Sequence, residues 1–108
     1  NFVTTGQILI SPDVWSIELG DLDSDGDLDA FVTNGMQWSS KTCYSSEVWL
    51  NNGIGYFTKA QDLGGESSGR YGALGDFDGD GDLDIIEGIE TGGNNLYINN
   101  NGTFTEPS

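Results

Sequence analysis

Apolar residues fall in short runs rich in Val, Ile, Phe, Tyr and Trp, punctuated by glycine, asparagine and aspartate. Runs of that length and composition suit strands and tight turns rather than helices. Period-2 alternation predicts eight strands, at Val14–Leu19, Ala30–Thr33, Glu47–Leu50, Tyr56–Ala60, Gly72–Leu74, Ile85–Gly88, Asn95–Ile98 and Thr103–Thr105. Asn52-Gly53 and Asn101-Gly102 stand between the third and fourth strand of each set of four, where a hairpin needs positive φ.

The strands form two copies of one pattern. Asp21 and Asp76 open matching acidic segments at a shift of 55 residues, and Phe2 and Phe57 each precede them by nineteen. Downstream, Trp49-Leu50-Asn51-Asn52 matches Tyr97-Ile98-Asn99-Asn100 at a shift of 48, so the second copy has lost about seven residues in between. An antiparallel unit of four strands recurring at about fifty residues is the signature of a β-propeller blade. The expected fold is therefore all-β, with two blades in a single unit over residues 1–108. Residues 1–60 hold an outer strand and the first blade, and residues 61–108 hold the second.

The acidic segments carry the chemistry. Asp21-Leu22-Asp23-Ser24-Asp25-Gly26-Asp27-Leu28-Asp29 and Asp76-Phe77-Asp78-Gly79-Asp80-Gly81-Asp82-Leu83-Asp84 each place five carboxylates in nine residues. Aspartates at positions 1, 3 and 5 aim side chains into a tight loop, and glycine at 6 permits the reversal that follows. Position 9 adds a fourth carboxylate and position 7 a backbone carbonyl. The expected ligands are thus Asp21, Asp23, Asp25 and Asp29 with the Asp27 carbonyl, and Asp76, Asp78, Asp80 and Asp84 with the Asp82 carbonyl. An all-oxygen donor set without His or Cys selects Ca²⁺ over zinc or copper, one ion per loop. A solvated turn explains most acidic runs, but not five mutually repelling carboxylates repeated at equivalent positions. Glu87 completes an EF-hand pattern after Asp76, yet the first loop has Val32 there and the flanks are short and glycine-punctuated instead of helical. Glu87 is expected to be an exposed strand residue.

The two loops with their Leu-Gly leads (Leu19-Gly20 and Leu74-Gly75), together with Val48-Trp49-Leu50-Asn51-Asn52-Gly53 and Leu96-Tyr97-Ile98-Asn99-Asn100, resemble FG-GAP or VCBS-type repeats, the calcium-binding blades of integrin-α-like β-propellers. The resemblance implies that each loop joins the first two strands of a blade and that its calcium is mainly structural. Such propellers occur in adhesion receptors, lectins and surface or secreted enzymes, so the resemblance points to the site more sharply than to the function.

Composition narrows the partners. Eighteen acids against three bases give a formal charge of −15, which repels nucleic acid and anionic lipid. Two bound calcium ions bring it to about −11. No run of residues is long and apolar enough to span a bilayer. The lone Cys43 excludes an internal disulfide, and without any histidine nothing activates it. Two blades are fewer than a propeller needs, which predicts neighbouring blades, supplied by homo-oligomerisation or by a longer chain. Phe2-Val3-Thr4 resembles a spare outer strand suited to a neighbour's sheet edge.

In a four-stranded meander the acidic loops and Asn-Gly turns share one side, opposite the insertion 34–46 and the link between the blades. Trp38, Lys41, Tyr44, Arg70 and Tyr71 are the candidate ligand-binding residues of that opposite side, suited to a carbohydrate or a protein. Trp15 and Trp49 are expected in the core. The functional expectation is an extracellular or cell-surface calcium-binding module for adhesion or lectin-like binding, and not an enzyme. The alternatives are a structural subunit that assembles into a ring or filament, and a propeller domain attached to an enzyme.

Overall fold

A computed structural model of the chain describes residues 6, 14–37, 42–43, 45–63, 69–89 and 93–105. In chain order its strands are β1 (Val14–Gly20), β2 (Asp29–Asn34), β3 (Met36–Gln37), β4 (Thr42–Cys43), β5 (Ser46–Asn51), β6 (Phe57–Leu63), β7 (Gly69–Gly75), β8 (Asp84–Ile89), β9 (Asn94–Asn100) and β10 (Thr103–Thr105). β1-β2-β5-β6 form one four-stranded antiparallel sheet and β7-β8-β9-β10 another, with no helix among the described residues. These are the two blades expected, and by themselves they do not close a ring. All eight strands read from alternation are present, most of them longer at the ends. The ladders extend to the residues flanking the acidic segments, pairing Gly20 with Asp29 and Gly75 with Asp84.

Within the insertion 34–46, Met36 and Gln37 pair with Cys43 and Thr42 as the small ribbon β3–β4. The two asparagine turns also differ. Asn101 and Gly102 both take positive φ (53° and 93°), as a two-residue hairpin requires. The loop after Asn51 is wider, closed by the Asn52 N–H on Tyr56 O at 3.0 Å, with Gly53 and Gly55 carrying the positive φ.

Cross-strand pairing sorts the side chains by face. In the first sheet Phe31 and Val48 are partners on one face, while Ile17, Leu19, Ala30, Val32, Glu47 and Trp49 share the other. In the second sheet Gly72, Leu74, Ile85, Glu87 and Tyr97 share a face turned toward the first. The main core lies between the sheets and contains Leu22, Phe31, Val48, Leu63, Ile85, Tyr97 and Phe104. The Phe31 ring lies directly on Gly72, where an added Cβ would come within 2.6 Å of it. Glycine there lets the strand approach the ring, which a larger residue would hold off.

Polar latches join the blades. The Gln61 amide takes the place of a strand partner, accepting from Phe104 N at 3.0 Å and donating to Phe104 O at 2.7 Å. Glu87 departs from its expected exposure. It is buried between the sheets, accepting hydrogen bonds from Ser46 Oγ of the first blade and from Tyr97 Oη at 2.9 Å. Register decides this, since Glu87 sits opposite Gly72 on the inward face. Trp49 is core, its indole N–H donating to Glu47 at 3.1 Å. Trp15 is not, remaining 44% exposed with its indole laid over Gly35.

Phe31→Ala should lower stability by about 3–5 kcal/mol, the cost of emptying a buried aromatic site. Its counterpart in the second repeat, Ile86→Ala, lies on the uncovered face and should cost about 1–2 kcal/mol. Urea unfolding of the two variants checks the contrast.

Candidate metal centre

Each acidic segment forms the turn between the first two strands of its blade, and the backbone explains why these residues fold there. Gly26 and Gly81 take φ of 92° and 95°, and Ser24 and Gly79 at position 4 are also left-handed. The reversal lets the position-1 aspartate collect the N–H groups of the loop. Asp21 accepts from Asp25 N (3.1 Å) and Gly26 N (2.9 Å), and Asp76 from Gly79 N (2.8 Å), Asp80 N (3.1 Å) and Gly81 N (2.8 Å). Positions 3 and 5 each accept from the backbone two residues on.

The ninth position is the anchor. Asp29 is fully buried, with one oxygen accepting from Leu22 N (2.8 Å) and the other from Asn51 N (2.9 Å). Asp84 repeats this with Phe77 N (2.9 Å) and Asn99 N (2.8 Å). One carboxylate thus ties the start of the loop to the end of the third strand. The third-strand asparagine completes the frame, its side-chain amide donating to the position-8 carbonyl, Asn51 to Leu28 O (3.0 Å) and Asn99 to Leu83 O (2.7 Å). Sequence reasoning found these asparagines as part of the repeat but assigned them no role in the site. Their recurrence at the fixed shift of 48 was the available signal.

The structure brings Asp21, Asp23, Asp25 and Asp29 together, and separately Asp76, Asp78, Asp80 and Asp84, each group with carboxylate oxygens within 4.8 Å of one another. Each group could hold a metal ion, and its all-oxygen chemistry fits a hard cation. Asp27 and Asp82 place their side chains elsewhere. The Asp27 carboxylate lies against Gly53, while Asp82 accepts from Asn101 N (3.4 Å) and from Ser24 Oγ of the other loop (3.3 Å). The asparagine turns therefore stand beside the acidic loops, on the side of the blades that the meander predicted.

Electrostatics marks the groups as uncompensated. Burial, a shared hydrogen bond with Asp25 and the charges of Asp29 and Asp25 push Asp23 up to about 6 from 3.8. Asp78 is raised by burial and by Asp80 and Asp84, and Asp27 by burial and its acidic neighbours. Asp76 alone is lowered, by the N–H of Gly81 first and then those of Gly79 and Asp80. Among the candidate ligand-binding residues of the opposite side, Trp38, Lys41 and Tyr44 lie outside the described residues. Arg70 belongs to β7, and Tyr71, beside it, is 67% exposed with its ring against Gly88.

Fold and site together define an all-β repeat protein built of antiparallel four-stranded blades with acidic first turns. Residues 38–87 match the family model of the FG-GAP-like repeat, and this stretch of the chain is an FG-GAP-type repeat. The match runs from the insertion through β5 to β7 and the second acidic loop into β8, and so straddles both sheets. The first loop lies outside it and is tied to the second by the internal 55-residue shift. No curated protein and no solved structure matches the chain.

A raised carboxylate pKa means that the folded chain binds its proton more tightly than the unfolded one, so stability falls as the pH rises through that range. In chelator, lowering the pH through about 6 toward 3.8 should raise the melting temperature on account of Asp23. The Asp76 contribution has the opposite sign and is lost only below 3.8. Asp23→Asn should mimic acidification, stabilising the chelated chain by about 1 kcal/mol after solvent screening. Thermal unfolding against pH, with and without the substitution, checks both.

Proposed function

We propose that this chain is a calcium-stapled β-propeller module, acting outside the cell as a binding or adhesion module and not as an enzyme. The observation that carries this reading is the duplicated group of four carboxylates, each completed by a buried position-9 aspartate that is already held by two backbone N–H groups. Such a loop is organised before the ion arrives, and a hard divalent cation would offset the burial and the neighbouring charges that raise Asp23 and Asp78. Asp21, Asp23, Asp25 and Asp29 would hold one ion with the Asp27 carbonyl. Asp76, Asp78, Asp80 and Asp84 would hold the other with the Asp82 carbonyl. The ions supply charge neutralisation and cross-linking of the turn, and no chemistry of bond making. An extracellular setting agrees with a flexible oxygen site, since calcium there is plentiful enough to fill weak loops.

Calcium should raise the melting temperature relative to chelator, worth about 2.7 kcal/mol per site at a hundredfold excess over Kd, with magnesium a poor substitute. Calorimetric titration should count two ions, and Asp21→Ala or Asp76→Ala should each remove one. An unchanged melting temperature in excess chelator refutes the proposal. Recognition belongs, on this reading, to the side opposite the loops, at the far end of the blades where β3–β4 follows β2. Binding to a glycan array or to a captured protein should disappear in Trp38→Ala or Tyr44→Ala. Retention of binding in both variants would move the ligand site elsewhere.

A further inference from the structure

The two acidic loops are joined through the interior by a continuous run of hydrogen bonds. Leu22 N donates to Asp29 at 2.8 Å, Leu22 O accepts from the Asn99 side-chain amide at 2.7 Å, and Asn99 N donates to Asp84 at 2.8 Å. The run begins and ends on the position-9 aspartates, one from each metal group. All four residues are buried, none more than 1% exposed. Away from water, each bond is stronger than it would be on the surface.

Asn99 is the residue on which the two loops meet. Its amide also donates to Leu83 O of the second loop at 2.7 Å, and its side-chain carbonyl accepts from Gly102 N at 2.7 Å. Both amide protons and the carbonyl oxygen are engaged, which fixes the orientation of the side chain. Gly102 in turn lies against Asp23 of the first loop, where an added Cβ would come within 3.2 Å of it. A surface link runs in parallel, from Ser24 Oγ to Asp82 at 3.3 Å. Asn51, the counterpart of Asn99, bonds to Asp29 and to Leu28 O within its own blade, and it reaches no second loop among the described residues.

We infer that the two ion sites are coupled through Leu22 and Asn99, so that filling one loop raises the affinity of the other. This inference rests on the calcium reading and adds to it the regulation of those sites. An ion removes the freedom that a loop retains, and that lost entropy opposes binding. Fixing the second loop holds Asn99, and through Leu22 it holds the anchor Asp29 of the first; fixing the first loop acts back on Asp84 by the same path. The second ion then meets a loop with less freedom to lose and binds more tightly. Electrostatics acts in the opposite sense, because the first ion reduces the negative field that attracts the second. That effect is the smaller one. A loop of five carboxylates keeps a net charge of about −3 with one calcium bound, and its charges other than the anchor are at least partly exposed, where physiological salt screens them beyond about 8 Å. The buried bonds are not screened.

The test is a calorimetric calcium titration of the unsubstituted chain, Asp21→Ala and Asp76→Ala, at physiological and at high salt. The position-1 substitutions empty one site each and leave the bonds between Asp29, Leu22, Asn99 and Asp84 in place. The unsubstituted chain should take up two ions with a Hill coefficient above one. Its overall two-ion constant should exceed the product of the two single-site constants about tenfold, and the excess should persist at high salt. Asn99→Ser should bind its two ions independently, whereas Asn51→Ser, which cuts the equivalent bond within its own blade, should keep the excess. Circular dichroism monitors folding, and if Asn99→Ser loses its strand signal, the salt series on the other three proteins decides. Two independent ions in the unsubstituted chain, an excess that vanishes at high salt, or an excess retained in Asn99→Ser would overturn the coupling and leave the calcium reading standing. Absence of any calcium uptake would overturn both.

Discussion

Asp29 and Asp84 are the buried carboxylates that fasten each acidic loop to the sheet of its blade. Each is buried, and each resolves that burial by accepting one backbone N–H from its own loop and one from the third strand. A carboxylate satisfied this way exchanges hydration for two charge-assisted hydrogen bonds. It also fixes the mouth of the loop relative to the sheet, so that positions 1, 3 and 5 converge. Blade geometry and acidic site thus have a common origin.

From that anchor the structure spreads in two directions. Along each blade, Asn51 and Asn99 continue the frame into the third turn through the position-8 carbonyls. Between blades, Asn99 reaches Leu22 O, and Ser24 reaches Asp82, so the loops of successive blades are in contact. Farther from the loops the contact becomes apolar, with Phe31 on Gly72, and at the outer edge Gln61 takes the role of a strand for Phe104. Buried Glu87 stands among these contacts with hydroxyl and amide donors and joins both sheets. Removing one partner there leaves a buried carboxylate short of donors, which costs more than the contact itself returns.

The same geometry explains why the two repeats are unequal in exposure while equal in pattern. Leu22 and Phe77 obey one rule of sequence, yet only one of them has a blade to cover it. The acidic loops behave in parallel fashion: Asp23 and Asp78 stand in groups that could hold a cation, and their raised pKa values reflect burial beside other carboxylates.

The eight strands, the two acidic loops and the repeat that relates them were legible in the amino-acid sequence, because alternation, glycine at position 6 and aspartates at fixed spacing are local requirements of backbone and charge. The family resemblance was legible for the same reason, in motifs that recur at constant shifts. What lay beyond the sequence depended on contacts between distant residues. Glu87 looked like an exposed strand acid, and only register against Gly72 with the approach of Ser46 buried it. Trp15 looked like core, and only its place on the edge strand β1, with its indole over Gly35, left it half exposed. The two asparagine turns look alike as dipeptides, but Asn51 and Asn52 cap a wider loop than Asn101 and Gly102. Local chemistry set which elements form and where an ion would sit. Which residues are covered, and which stay exposed, was decided by the packing of one sheet on the other.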